Sequence, residues 1–422
     1  MAMKKIFLLI ALPAAVVAAV VDVFPQPEAE SYLRAYYKPV KWQDIPGFDK
    51  DQPEQARPAM LRSCAALLNK PADRHILPLR HKPGGLEGTV QAWWPFCAAL
   101  HKRQSQADVS EVSIYSLLKT YLQPYVLKEK NKYLSPLGLG RFWPESQGLF
   151  TGYYEPVVPG SYFKTEQYNV PLYGLPEDVL TADLGLFDPD LAGQRIVARA
   201  ENGRLVPYHS RADIDQGALN HQEPLLWLKD PVDKFFLQIQ GSGRVKLPGG
   251  KYVFVGYAGV NGHAYTAIGR YMVQQGYMAL EDVSMQSIRT WLNENPDKLT
   301  EVLHQNESYV FFTIREDGPY GTQGVLLTPE RSLAVDRRVV PLGAPVFLDA
   351  GITATGDRFR KLMVAQDTGG AIKGAIRGDI YFGYGDRPAE LAGMQKDPGR
   401  LFVLLPKGIS VTNEVTDATN PN

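Results

Sequence analysis

The chain has 422 residues, with 45 Lys+Arg matched by 45 Asp+Glu, so its formal net charge is zero. That balance excludes a basic field for nucleic acid and an acidic tail. The length allows two or three domains with ample core. Aromatic residues make up 11%, including 22 Tyr, a composition that suits sugar-binding surfaces as well as ordinary β structure.

Taken in chain order, Lys4 and Lys5 precede an apolar run from Ile6 to Val21 with Ala18-Ala19 near its end. This reads as a secretory signal or a short uncleaved anchor within residues 1–24. The run is slightly short for a membrane span unless Val23 and Phe24 extend it. No cysteine follows it, so an N-terminal lipid-bearing cysteine is not expected. Export makes the two cysteines informative. Cys64 and Cys97 each lie in a helical pattern, and an even count in an oxidising compartment suggests one disulfide tying two helices. Two buried free thiols are the alternative.

Residues 25–50 read as extended. Helices are expected near 55–69, 88–102 and 108–122, the last ended by Pro124. From Gly148 the texture changes to short β-like runs between Gly and Pro turns, among them Phe235–Gln240. Helices are then expected over Ala264–Gln274 and Ser284–Glu294. A third is expected from Asn295 as cap with Pro296 in its first turn. From Tyr309 short strands return at 310–313, 324–327, 344–348, 362–365, 379–382 and 401–405, a spacing that suggests a small barrel.

The seven histidines are scattered and no Cys–His cluster exists, so neither a metal site nor a cofactor is expected. Gly241-Ser242-Gly243-Arg244 lacks a following Lys-Ser/Thr and reads as a hairpin turn rather than a phosphate loop. No Gly-x-Ser-x-Gly elbow appears. Chemistry concentrates near the C-terminus. Asp367 closes the apolar run Leu362–Ala365, and Asp379 opens the aromatic run Ile380-Tyr381-Phe382. An acid at a strand end among aromatic rings sits where desolvation raises a carboxyl pKa and favours acid catalysis. The alternative is a Gly-Asp turn with Asp367 as a cap. Asp336, before Pro341-Leu342-Gly343, either faces the same barrel end as Asp379 or caps a turn. Tyr153 and Tyr154 in Gly152-Tyr153-Tyr154-Glu155-Pro156 read either as a sugar platform or as a core pair.

Six motifs occur in order: Thr151–Pro156, Phe236–Arg244, Gly269–Met272, Asn306–Phe312, Ala334–Arg337 with Pro341–Gly343, and Gln366–Gly374. Together they resemble the membrane-bound lytic murein transglycosylase A family, which the paired cysteines also fit. The resemblance implies a mainly β fold with N-terminal helices, in which a double-psi β-barrel catalytic domain is interrupted by a second β-rich domain. The corresponding divisions are N-terminal helices and the first part of the barrel over 25–157, an inserted domain over 158–308, and the remainder of the barrel over 309–422. The implied reaction is cleavage of the β-1,4 bond between N-acetylmuramic acid and N-acetylglucosamine in peptidoglycan, releasing 1,6-anhydro products. The family's essential aspartate falls on Asp379 and its neighbouring aspartate on Asp367. Substrate contacts are expected from Thr151, Tyr153, Tyr154, Gln240, Ser242, Asp336 and Lys373. Some relatives carry a His-Phe pair before the aspartate, where this chain has Arg377-Gly378. Expected partners are glycan strands and other cell-wall enzymes, and the expected location is the periplasm at a membrane, the outer membrane by resemblance. A non-catalytic glycan-binding barrel and a polysaccharide hydrolase are the competing readings.

Overall fold

The computed structural model describes residues 35–76, 88–105, 113–130, 146–188, 191 and 194–409. The Ile6–Val21 segment and residues 108–112 of the third expected helix lie outside the described residues. In chain order, β1 (Ala35–Pro39) is followed by α1 (Arg57–Leu68), α2 (Trp94–Ser105) and α3 (Ile114–Tyr121), then β2 (Leu122–Glu129) and β3 (Gly148–Glu155). Ser113 caps α3 by accepting the Ser116 N–H at 3.2 Å. Pro124 does not end the helix; it lies inside β2 and its carbonyl accepts the Val40 N–H. Cys64 on α1 and Cys97 on α2 form a disulfide, both buried.

Past Pro156 come β4 (Val157–Ser161) and β5 (Val170–Leu172), then a small sheet of β6 (Leu180–Asp183), β7 (Arg195–Glu201) and β8 (Arg204–Pro207). β9 (Leu226–Leu228), α4 (Pro231–Gln240), β10 (Ser242–Lys246), β11 (Tyr252–Val260), α5 (Ile268–Gln274), α6 (Met285–Glu294), α7 (Leu299–Leu303) and β12 (Val310–Arg315) complete this region. Its six-stranded sheet runs β12-β11-β10-β4-β9-β5. The strand at 310–315, read from sequence as the start of the returning barrel, pairs with β11 in this second sheet.

Several local expectations change here. Phe235–Gln240 is helical, not a strand. Asp230 Oδ1 accepts the Val232 N–H at 2.7 Å, Pro231 starts the first turn, and Gly241 ends the helix at φ 75°. Val232, Phe235 and Phe236 then share one buried face, so the apolar run follows a 3.6-residue period. Gly241–Arg244 is accordingly a helix end leading into β10, not a hairpin turn. The helix expected from Ala264 begins at Ile268, and the one expected from Asn295 begins after Lys298. Residues 324–327 form no strand; only an isolated Tyr320–Leu326 bridge occurs there.

The chain ends in β13 (Ser332–Val335), β14 (Pro345–Ile352), β15 (Asp357–Asp367), β16 (Arg377–Tyr384), α8 (Asp386–Met394) and β17 (Lys396–Pro406). The order β1-β2-β17-β14-β15-β13-β16-β3, with β3 also pairing to β17, closes β17-β14-β15-β13-β16-β3 into a six-stranded barrel. The fold is thus mainly β with N-terminal helices, as the sequence implied. Two pairs, β13 with β15 and β16 with β3, run parallel. The barrel interior and the three helices share one apolar core, including Phe150, Phe347, Val364, Leu401, Met60 and Leu118. A buried Arg331–Asp51 pair, at 2.8 and 3.0 Å, ties the N-terminal segment to the barrel.

Candidate active site

The parallel pairing of β16 with β3 sets Asp379 opposite Thr151 and Tyr381 opposite Tyr153. Side chains alternate along each strand, so Thr151, Tyr153 and Glu155 share one face of β3, while Phe150, Gly152 and Tyr154 share the other. Phe150 enters the core, and a Cβ on Gly152 would lie 2.4 Å from the Phe382 ring and 3.0 Å from Ala392 of α8. A glycine is therefore required between the two site residues for α8 to pack this closely. On β16 the same alternation places Arg377, Asp379 and Tyr381 on the site face and Ile380 and Phe382 in the core.

Asp379 is half-buried. Thr151 Oγ1 donates to its Oδ1 at 2.5 Å, and no other hydrogen bond from the described residues reaches the carboxyl. Burial raises its pKa, the Arg377 charge and the Thr151 hydroxyl pull the other way, and the Asp367 charge adds to the rise. Arg377 Nη2 in turn donates to Thr151 Oγ1 at 2.8 Å, and its Nη1 donates to the carbonyls of Leu149 and Gly378.

Asp367 is placed by an irregularity. The β13–β15 register shifts between Leu333 and Ala334, which pair with Ala365 and Asp367, so Gln366 has no partner opposite. Such bulges redirect side chains beside functional sites. Gln366 is fully buried, where its amide donates to Ala59 O and Ser63 Oγ of α1. Asp367 Oδ1 accepts from the Thr322 N–H (2.9 Å), the Thr322 hydroxyl (3.0 Å) and the Thr368 N–H (2.8 Å). Its Oδ2 accepts from the Tyr153 hydroxyl at 2.8 Å. Burial raises the Asp367 pKa and these donors offset part of the rise. Both aspartates pair with Ala334 of β13, from opposite sides, which sets their backbones two strand spacings apart, roughly 10 Å.

The two aspartates, Thr151 and Tyr153 are thus brought together, with Tyr381 5.3 Å from Tyr153 ring to ring. The other residues expected to contact substrate make none of these bonds. Tyr154 points to the opposite face of β3 and packs against the core, and its N–H donates to Gln240 Oε1. Gln240 sits at the end of α4 and serves that backbone contact. Ser242 begins β10, where it pairs with Gly256. Asp336 is buried and accepts from the Gly374 N–H and from the Arg338 N–H and guanidinium. Burial pushes its carboxyl up, but these donors outweigh burial and hold it below the usual range. It therefore closes the turn between β13 and Pro341, two residues beyond Ala334, the β13 partner of Asp379. Lys373 is exposed in the loop before β16.

The reading of the sequence missed Arg377, Thr322 and Tyr381 as members of the cluster. Alternation along Arg377-Gly378-Asp379-Ile380-Tyr381 was the available signal for two of them; Thr322 offered none. Glu155, also on the site face, is buried and accepts from Arg244 Nε of β10 at 2.7 Å, which links the barrel to the second sheet. Arg244 lies over the Tyr384 ring at 3.5 Å. Among the described residues no group of three or more His, Cys, Asp or Glu could hold a metal ion.

Residues 149–313 match the MltA specific insert domain, and residues 331–405 match the 3D domain. The chain is 34% identical over 263 residues to the membrane-bound lytic murein transglycosylase A of Escherichia coli (strain K12), covering 60% of this chain and 65% of that protein. The match therefore spans a little under two thirds of that relative's length. The membrane-bound lytic murein transglycosylase A of Vibrio cholerae is 31% identical over 318 residues, covering 71% of this chain and 78% of that protein. The crystal structure of MltA from Neisseria gonorrhoeae in its monoclinic form superposes with a TM-score of 0.72 at 34% identity, over 89% of this chain and 94% of that one.

Proposed function

The chain belongs to the membrane-bound lytic murein transglycosylase A family, and from that premise we propose that it cleaves the β-1,4 bond between N-acetylmuramic acid and N-acetylglucosamine in peptidoglycan strands, with Asp379 as acid and then base. The observation that carries this reading is the state of Asp379: half-buried, raised in pKa by that burial, with one carboxyl oxygen held by Thr151 and the other free of donors among the described residues. Oδ2 carries the proton. It passes that proton to the glycosidic oxygen as the bond to muramyl C1 breaks. The carboxylate then takes the proton of the muramyl C6 hydroxyl, whose oxygen closes on C1 to form the 1,6-anhydro ring. No water is consumed, so a second carboxylate acting on water, as in most glycosidases, is not required.

Asp367 serves a positioning role. Its four donors hold it in place, and it orients the Tyr153 hydroxyl and the 322 loop at the edge of the site. Tyr153 and Tyr381 offer the aromatic wall for a sugar ring. Work at a membrane of the cell envelope follows from the membrane-bound relatives. Among the described residues no helix is long and apolar enough to cross a membrane, and the Ile6–Val21 segment lies outside them.

The test is mass spectrometry of products from purified murein sacculi. Wild type should release anhydro-muropeptides. Asp379→Asn should remain folded by circular dichroism and lose at least about 10²–10⁴-fold in rate, because the amide neither donates nor accepts the transferred proton. Free reducing ends would make the protein a hydrolase. Binding without any product would make it a glycan-binding barrel. Near-wild-type release by folded Asp379→Asn would remove Asp379 from the mechanism.

A further inference from the structure

Arg377 has no part in the reaction as written above, yet it touches the hydroxyl of Thr151, which touches the acid. A threonine hydroxyl has a single proton and two acceptor lone pairs. Arg377 Nη2 donates to Thr151 Oγ1 at 2.8 Å, and Thr151 Oγ1 lies 2.5 Å from Asp379 Oδ1. A guanidinium cannot accept, so the threonine proton cannot turn towards Arg377. We propose that Arg377 is a positioning residue for the acid: by occupying a lone pair of Thr151 it commits the threonine proton to Asp379 Oδ1 and leaves Oδ2 as the only oxygen that carries the transferable proton. This rests on the reading of Asp379 as the acid.

The arrangement is rigid at each joint. Arg377 and Asp379 are on the same face of β16, Thr151 is the direct partner of Asp379 in the parallel ladder, and the second arm of Arg377 is tied to the Leu149 carbonyl of β3 at 3.3 Å. A carboxylic acid free to exchange its proton between two oxygens would present the wrong one to the glycosidic oxygen part of the time. A fixed donor on Oδ1 removes that alternative. The same guanidinium places a positive charge near Asp379, which opposes the rise caused by burial. The charged and titratable groups that face Asp379 are Arg377 on its own strand, Tyr153 on β3 and Asp367 at the end of β15. Its partner on β13 is Ala334, which is neither.

Two readouts test the proposal on the full chain. One is anhydro-product release as a function of pH. The other is the Asp379 carboxyl titration, followed by carbon-13 NMR in the free protein, which needs no turnover. Arg377→Met should lower kcat on the acid-side plateau by about tenfold, the scale of one lost hydrogen bond in the transition state, with KM little changed. It should also move the alkaline limb and the Asp379 titration to higher pH, because a charge that lowered that pKa is gone. Arg377→Lys should recover most of the plateau. Thr151→Val should lower the plateau, and adding Arg377→Met to it should lower the plateau no further, since Arg377 acts there through Thr151.

An unchanged plateau and titration in Arg377→Met would overturn the proposal. So would plateau losses that multiply in the double variant, or a folded Arg377→Lys as poor as Arg377→Met. Failure of the reaction itself has a different signature: Asp379→Asn would stay active, while the NMR titration of Asp379 would still respond to Arg377.

Discussion

Removing the Cys64–Cys97 bond with the double substitution Cys64→Ala/Cys97→Ala should destabilise the barrel and its helices while leaving the chemistry largely intact. The two cysteines are 33 residues apart. For a closed loop of that length the chain-entropy expression gives a loss of roughly 12–13 cal/mol/K in the unfolded state, about 4 kcal/mol at 25 °C. Both sulfurs are buried in the shared core, so truncation to Ala adds to the cost through the space left behind. Helix α1, which carries Cys64, also carries Ser63. That hydroxyl donates to Gln323 Oε1 at 2.7 Å and accepts from Gln366 Nε2 at 2.8 Å. Gln323 and Gln366 are the chain neighbours of Thr322 and Asp367, so α1 braces the two segments that meet beside the acid. None of these bonds involves sulfur, and Met60 and Leu67 still anchor α1. The expectation is therefore a fall of about 4 kcal/mol in unfolding free energy, read from urea transitions of oxidised wild type and the double variant, with anhydro-product release within about threefold below the transition. A loss under about 1 kcal/mol would refute the loop-entropy reasoning for this pair. Two free thiols in unreduced, denatured wild type would refute the bond itself.

Two further predictions concern carboxylates. Asp349 is fully buried and accepts from Arg358, Arg360 and Arg400 at 2.6–3.0 Å. Burial pushes its carboxyl up, but the three arginines outweigh burial and hold it below the usual carboxylate range. A depressed folded pKa contributes stability that is present above the unfolded value, about 3.9, and is lost as pH falls below it. Asp349→Ala should cost about 3–5 kcal/mol at pH 7 and less at pH 3, where part of the contribution of the ionised carboxylate is already lost, measured by denaturant titration at both; an equal loss at both pH values would rule out the ionised pair as its source. Asp367→Asn should reduce anhydro-product release less than Asp379→Asn does. It should also move the alkaline limb to lower pH, opposite to Arg377→Met, because a negative charge that raised the Asp379 pKa is removed. A limb that stays in place would mean Asp367 keeps its own proton through the working range.

Asp367 and Asp379, with glycines on either side and an apolar run at each, stand out in the chain because a carboxyl among aromatic residues at a strand end is a local feature. The cysteine pair, the N-terminal helices and the mainly β character of the rest were legible for the same reason: composition and periodicity act over a few residues. The order of six motifs added the family. What the chain could not reveal was which residues meet the acid. Thr151 and Asp379 are 228 positions apart, and only the parallel β16–β3 ladder makes them partners. Once that register exists, alternation turns Thr151 and Tyr153 inward to the site and Tyr154 away from it, so two adjacent tyrosines that look alike in sequence take different roles. The bulge at Gln366 likewise sends one side chain to Ser63 and the next to Tyr153. Phe235–Gln240 shows the reverse case, where a β-like composition yields to an Asp-Pro start and a Gly end that favour a helix. Ladder register and bulge placement arise from pairing between distant strands around one closed barrel, and no short window of sequence contains that pairing.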